Sequence, residues 1–251
     1  MKTIFLTGAA TGIGREVARL FYNNNYNVAM FDANSSQMAI TTEGWDESRY
    51  IAYKGDVCSL ESLKDAVGQT LAKFNRIDSL ILNAGMHQSN TVLSVEDAEL
   101  EQIFNVNVRG YIYAIKAAMP SMIEQGGGTI VVNASDQSFI GKGCSFSYGL
   151  TKGAIGQMIK NIAIDYGKQG ISISGVCPGT IDTPLAMGAL QRWADRELGG
   201  DLEKAIEIEN ESYVVGRIGT SAEVAQMFYF LANSPFVTGS LHLIDGGLVA
   251  Q

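Results

Sequence analysis

Cysteine is scarce in this chain: three in 251 residues, at Cys58, Cys144 and Cys177, widely spaced and odd in number. With no C-x-x-C pair and only two histidines, His87 and His242, neither a disulfide framework nor a metal site is expected. Proline is sparse too, with four residues, and no stretch rich in proline, glycine and serine marks a linker. Basic residues are outnumbered 18 to 26, and the formal net charge of −8 argues against nucleic acid or an anionic membrane as partner. Long apolar runs are missing: nothing approaches the roughly 18 residues of a membrane span. The opening Met1–Leu6 is broken at once by Thr7 and Gly8, short of the about 7–15 apolar residues of a secretory leader. A soluble, cytoplasmic protein is expected.

Apolar residues are plentiful, at 46% against 18% charged, enough for one large core. A single domain over residues 1–251 is therefore expected. Charge is uneven: seven acids (Asp195, Glu197, Asp201, Glu203, Glu207, Glu209, Glu211) face two bases (Arg196, Lys204) in one short stretch, read as a solvated helical face.

Short apolar runs alternate with helical spacing. Strands are predicted at 2–7, 27–31, 51–56, 79–82, 129–133, 171–176 and 241–244, and helices at 13–22, 59–74, 148–166 and 222–232. Ser94-Val95-Glu96-Asp97 resembles a capping box opening a long helix toward Ile123. Strands rich in Val, Ile and Leu separated by helices indicate an α/β fold: a doubly wound parallel sheet with helices on both faces. Ligands of such sheets bind at the carboxyl ends of the strands.

Directly after the first strand comes Thr7-Gly8-Ala9-Ala10-Thr11-Gly12-Ile13-Gly14, then a helix. Missing side chains let such a turn approach a pyrophosphate, whose charge meets the free N–H groups of the helix start. Glycines alone also suit a tight turn without ligand. Asp32, closing the second strand, stands where an acid accepts hydrogen bonds from an adenosine ribose. Its charge would repel a 2′-phosphate, so NAD is favoured over NADP, although Arg15 lies beside the turn. Asp56, at the third strand's end, is a further candidate, for the adenine amino group or simply as a helix cap.

Tyr148 and Lys152, four apart, share a helix face. Tyrosine, with a reference pKa of about 10, is a poor base at neutral pH. A neighbouring ammonium favours its phenolate, the form that abstracts a proton from an alcohol. Ser135, following the fifth strand, is placed to stabilise a carbonyl or alkoxide oxygen.

Taken together, Thr7-Gly8-x-x-x-Gly12-x-Gly14, Asp32, Asp56-Val57, Asn83-Ala84-Gly85, Asn107, Ser135, Tyr148-x-x-x-Lys152 and Pro178-Gly179 occur in the order of the short-chain dehydrogenase/reductase family, whose Rossmann fold the chain resembles to its end at Val237-Thr238-Gly239 and Asp245-Gly246-Gly247. The resemblance implies a dehydrogenase/reductase that interconverts a secondary alcohol and a ketone. Tyr148 would be the acid–base group, and Lys152 would bind the nicotinamide ribose and depress the tyrosine pKa. Ser135 would orient the substrate oxygen, and Asn107 would hold a proton-relaying water. Gly8, Thr11, Gly12, Ile13 and Gly14 would cradle the pyrophosphate; Asp32, Asp56, Val57, Asn83, Ala84 and Gly85 would flank the adenosine. Pro178, Gly179, Ile181 and Thr183 would meet the carboxamide. The same resemblance implies a homo-oligomer, a tetramer or dimer, built on the long helices around 96–123 and 148–166; Ile155, Met158, Ile159 and Ile162 suit either that contact or the core.

Substrate walls are expected from Met86, His87 and Gln88; from Gln137, Phe139 and Cys144; and from a mobile insert at about 184–216. Met187, Leu190, Trp193 and Tyr213 are read as the insert's inner face, with Gly188, Gly199 and Gly200 as hinges. His87, Gln88 and Gln137 suit a sugar or polyol. Two other readings stay open: a 3-oxoacyl thioester reductase and a non-catalytic NAD(H)-sensing protein. Asp136, where the family usually has a small or hydroxylated residue, is expected to face solvent or cap its loop, with a substrate hydroxyl as the alternative contact.

Overall fold

In a computed structural model describing Met1–Gln251, seven parallel strands form one sheet in the order β3-β2-β1-β4-β5-β6-β9. These are β1 (Thr3–Thr7), β2 (Asn27–Asp32), β3 (Tyr50–Lys54), β4 (Ser79–Leu82), β5 (Gly128–Asn133), β6 (Ile171–Pro178) and β9 (Leu241–Ile244). Their Val, Ile and Leu runs are apolar on both faces because helices cover both. One face carries α3 (Leu60–Phe74), α5 (Gly110–Glu124) and α6 (Phe146–Tyr166), burying Leu63, Tyr111, Ile155 and Ile159 against the sheet. The other carries α1 (Gly12–Asn23) and α9 (Ser221–Ala232), which bury Val17, Phe21, Val224 and Phe228.

Ile155 and Ile159 thus belong to the core, with Met158 and Ile162 packed partly buried against it. The exposed apolar residues of α6 are Leu150 and Ile164 instead.

Strand order reverses between β1 and β4, which opens a crevice at their carboxyl ends. Register sets what borders it: Thr7 pairs with Phe31 on one side and Leu82 on the other, so Gly8, Asp32 and Asn83 emerge side by side.

Three local features depart from or add to the expected pattern. The helix toward Ile123 starts later than a Ser94 cap implies. Glu96 caps α4 (Asp97–Phe104), reciprocated by Glu99, whereas the Ser94 hydroxyl accepts from the Thr91 N–H within the preceding turn. That helix also widens into a π-turn over Asn105–Arg109 before α5, so Asn107 enters the interior at the bulge. Lastly, α2 (Ser35–Thr41), capped by Asn34, was too short to show periodicity.

The stretch after β6 is mostly helical. Two-residue β7 (Ile181–Asp182) pairs with β8 (Gly219–Thr220), and between them lie α7 (Pro184–Glu197) and α8 (Leu202–Glu211). Gly199 and Gly200, both at positive φ, make the turn joining these helices, while Gly188 lies inside α7.

Candidate active site

The glycine turn has separate physical reasons for its glycines. Gly8 and Gly12 adopt φ of +69° and +52°, a region costly for residues with a Cβ. Gly14 is conformationally ordinary, but a Cβ there would stand 1.9 Å from the Gly8 carbonyl oxygen and 2.6 Å from Asn83 Nδ2. Its job is close packing of α1 onto the turn. Thr11, the N-cap of α1, makes no side-chain bond to the first helical turn, and it faces the crevice together with Gly12 and Ile13.

Asp32 is held between two loops. One carboxylate oxygen accepts from the Ala10 N–H at 3.0 Å, the other from the Asn34 N–H at 2.8 Å. Arg15 turns aside, donating to the Ala10 carbonyl and the Gln37 side chain. Asp56 accepts from the Cys58 N–H, and the cap of α3 is Ser59; Asp56 and Val57 line the crevice with Ala84 and Gly85.

An amide chain ties this region to the reactive side chains. Asn83 Nδ2 donates to the Gly8 carbonyl at 2.8 Å, and Asn83 Oδ1 accepts from Asn133 Nδ2 at 2.8 Å. The Asn133 carbonyl in turn accepts from Lys152 Nζ at 2.7 Å and from the Tyr111 hydroxyl at 3.3 Å. Asn133 was not singled out from the sequence. Its one signal is an amide ending an otherwise apolar strand.

Tyr148 occupies the first turn of α6, with the Lys152 ammonium 5.3 Å from its ring centroid. Lys152 is 4% exposed, and burial pulls its pKa down to about 8. Tyr148 keeps some surface open to the cavity, yet burial pushes its phenol pKa upward, opposed by the neighbouring Ser135 hydroxyl. Ser135 donates to Asp136 at 2.7 Å and accepts from the Gln137 N–H at 3.1 Å. Buried Asn107 clasps its neighbours: Oδ1 accepts from the Met86 N–H, while Nδ2 donates to the Met86 carbonyl and the Thr151 hydroxyl.

The β6 loop crosses the glycine turn. Thr183 caps α7 by accepting from the Ala186 N–H, and its methyl lies 2.9 Å from where a Gly12 Cβ would be. Pro178, Gly179, Ile181 and Thr183 all line one cavity with the glycine turn, Ser135, Tyr148 and Lys152; its volume is about 990 Å³.

At the cavity's far end the expected walls are partly right. Met86, His87, Gln137, Cys144, Leu190 and Trp193 line it. Gln88, Phe139, Met187 and Tyr213 do not: Phe139 is 49% exposed, and Tyr213 is buried behind the wall, accepting from the Thr180 N–H at 2.6 Å. The His87 ring lies 4.8 Å from that of Tyr148 and contacts Ser145 and Arg192 of α7. Burial, then Arg192 and Lys142, lower its pKa to about 4.

Asp136 does not face solvent. It is 2% exposed and pairs with Lys142 at 2.9 Å, whose ammonium is 3.9 Å from Glu209 of α8. Burial works against the Lys142 charge, but Asp136 and its neighbours outweigh it and raise the pKa. Glu209 also accepts from the Thr180 hydroxyl at 2.5 Å. Neither Lys142 nor Glu209 stood out in the sequence. Lys142 is flanked by two glycines in a loop, and Glu209 is one acid in a strongly acidic run.

The profile of the short chain dehydrogenase family matches residues 2–193, most of the chain. This chain belongs to the short-chain dehydrogenases. It is an oxidoreductase acting on alcohol and ketone carbons with a nicotinamide cofactor. Among its relatives is an L-rhamnose 1-dehydrogenase (NAD(P)(+)) of Sphingomonas, 32% identical, with 98% of this chain and 96% of the relative covered. A diacetyl reductase of Staphylococcus epidermidis is 28% identical over 99% of this chain and 98% of its own. Among solved structures, the aldohexose dehydrogenase of Thermoplasma acidophilum superposes with a TM-score of 0.88 at 31% identity, covering 100% of this chain and 94% of that one. This dehydrogenase shares the fold of that structure over its whole length.

Proposed function

We propose that this short-chain dehydrogenase uses NAD to interconvert a secondary alcohol and a ketone on a sugar or polyol, with Tyr148 as its acid–base group. The carrying observation is convergence: Ser135, Tyr148 and Lys152 open onto the cavity that the glycine turn also lines. The cradle suits a dinucleotide: Gly8, Thr11, Gly12 and Ile13 line the cavity at the start of α1, and Asp32, held by the Ala10 and Asn34 N–H groups, borders it beside them.

A bound nicotinamide dinucleotide supplies the hydride acceptor or donor. Gly8, Thr11, Gly12 and Ile13 would hold its pyrophosphate, with Gly14 packing α1 close behind them, and Asp32 would bind its adenosine ribose, a carboxylate that would disfavour NADP. Asp56, Val57, Asn83, Ala84 and Gly85 would flank the adenosine; Pro178, Gly179, Ile181 and Thr183 would receive the carboxamide. Tyr148 gives or takes the proton at its phenolic oxygen. Lys152, anchored on the Asn133 carbonyl, would support the phenolate with its charge and bind the nicotinamide ribose. Ser135 positions the reacting oxygen. Asn107 fixes the Met86 loop and bonds Thr151 on α6, and would hold the water that relays the proton. Exposed Leu150 and Ile164 on α6 favour a homo-oligomer, which a light-scattering mass tests.

Polar groups at the far end of the cavity, and relatives named for rhamnose and aldohexoses, support the sugar or polyol assignment. The test is absorbance at the reduced-nicotinamide band with purified protein, NAD or NADP, and a panel of sugars, polyols, secondary alcohols and hydroxyacyl thioesters. NAD reduction by sugars or polyols is expected. Turnover confined to thioesters, or NADH binding without any turnover, would overturn the reading.

A further inference from the structure

We infer that Lys142 and Glu209, organised by Asp136, form a subsite for a second hydroxyl of a neutral polyhydroxylated substrate. This deepens the proposed function and rests on it.

Three observations meet here. First, the cluster borders the reacting centre: Ser135 donates to one oxygen of Asp136, and the other oxygen of Asp136 pairs with Lys142. Lys142 therefore stands one carboxylate away from the group that positions the reacting oxygen. Second, the cluster faces the cavity. Asp136, Lys142 and Glu209 all line it, and the Lys142 side chain keeps 27% of its surface open while that of Asp136 keeps 3%. Third, it joins two independent walls. Lys142 belongs to the loop between β5 and α6, whereas Glu209 sits on α8 and is braced by the Thr180 hydroxyl and Tyr213.

The Lys142 ammonium and the Glu209 carboxylate stand 3.9 Å apart on the cavity wall, so a hydroxyl reaching both accepts from the one and donates to the other. Charge narrows the class further. Two carboxylates to one ammonium leave one negative charge in excess, and nearby Arg196 is already paired with Glu197 at 2.8 Å. A substrate carboxylate brought beside this cluster meets that excess, while Arg192, the cation at this end with no carboxylate partner, is turned onto His87. Neutral sugars and polyols fit; uronic or aldonic acids do not.

A site built to bond a hydroxyl discriminates sharply against the analogue lacking it, because its polar groups then stay unpaired. The experiment compares kcat/KM for 2-butanol, 2,3-butanediol, aldopentoses and aldohexoses, and the corresponding uronic acids, in the wild type, Lys142→Met, Lys142→Arg and Glu209→Gln. The wild type is expected to prefer diol or sugar over 2-butanol and over the uronic acid. Lys142→Met and Glu209→Gln should shrink the preference over 2-butanol by about 10- to 100-fold, through KM more than kcat. Lys142→Arg should restore part of it. A merely structural ion pair would lower the melting temperature and leave the ratio where it was, which overturns the subsite alone. A wild type that favours uronic acids overturns it as well. No hydride transfer with any member would overturn the subsite and the proposed function together.

Discussion

The two ends of the cavity are built from different materials. At the dinucleotide end, neutral amides and backbone groups do the holding: Asn83 and Asn133 link Gly8 to Lys152, and Asp32 is fixed by two N–H groups. At the substrate end, full charges and a histidine do it, through Asp136, Lys142, Glu209, Arg192 and His87. The difference follows from the tasks. A cradle for an invariant ligand needs close approach and fixed dipoles, whereas a pocket that selects among alcohols gains discrimination from charged groups that pair only with the right partner.

The largest effect expected lies where the ends meet. Tyr148→Phe keeps the ring against His87 and removes only the proton carrier. Turnover should fall by about 10²–10⁴ while NADH binding, followed by its fluorescence, is retained. A variant with most of its activity left would remove Tyr148 from the chemistry.

Next comes a contrast between glycines at the two ends. Gly14→Ala places a methyl into the Gly8 carbonyl and Asn83, so it should destabilise the fold by about 1–3 kcal/mol or more and weaken NADH binding. Gly141, at the substrate end, has nothing within 4 Å of an added Cβ, so Gly141→Ala should stay within about 0.5 kcal/mol. Paired urea titrations decide it: equal midpoints for both variants would mean the glycine turn relaxes far more easily than its contacts imply.

The same asymmetry explains what could be read from the sequence. The dinucleotide end is encoded by consecutive residues next to strand ends, so the Thr7–Gly14 turn, Asp32 and Tyr148-x-x-x-Lys152 stood out. Strand positions were legible to within about two residues because buried parallel strands are unbroken apolar runs. The substrate end is encoded by single residues far apart in sequence. Nothing local marks Glu209 among its acidic neighbours, or says that Asp136 turns inward, because the partner that makes burial tolerable arrives six residues later from a glycine-flanked loop. Three of the four misassigned walls, Phe139, Met187 and Tyr213, are largely apolar residues whose side was decided by tertiary packing. A widened helical turn at Asn107 has no periodic signature at all.

Cofactor choice tests the dinucleotide end with a smaller effect. Asp32→Ala removes a carboxylate that would confront a 2′-phosphate and leaves Arg15 close by on the turn. The NAD-to-NADP ratio of kcat/KM should drop by roughly tenfold or more. An unchanged ratio would assign the choice to another residue.

The smallest effects are in stability against pH, and they again separate the two ends. Lys152 titrates at about 8 in the fold against 10.5 ordinarily, so between those values the unfolded chain binds more protons and this group's contribution grows as pH rises. His87 titrates at about 4 against 6.5, so its contribution is full above 6.5 and is lost as pH falls toward 4. Protonation there would also cost the neutral ring its bond from Arg192, which needs an acceptor at Nδ1. Being only half-buried, His87 should show the weaker dependence. His87→Gln should flatten the acid side of the stability profile and leave the alkaline rise intact, and Lys152→Met should do the reverse. If His87→Gln kept the wild-type slope between pH 6.5 and 4, the acid sensitivity would belong to the carboxylates, and the α7 contact at the substrate end would be insensitive to protonation.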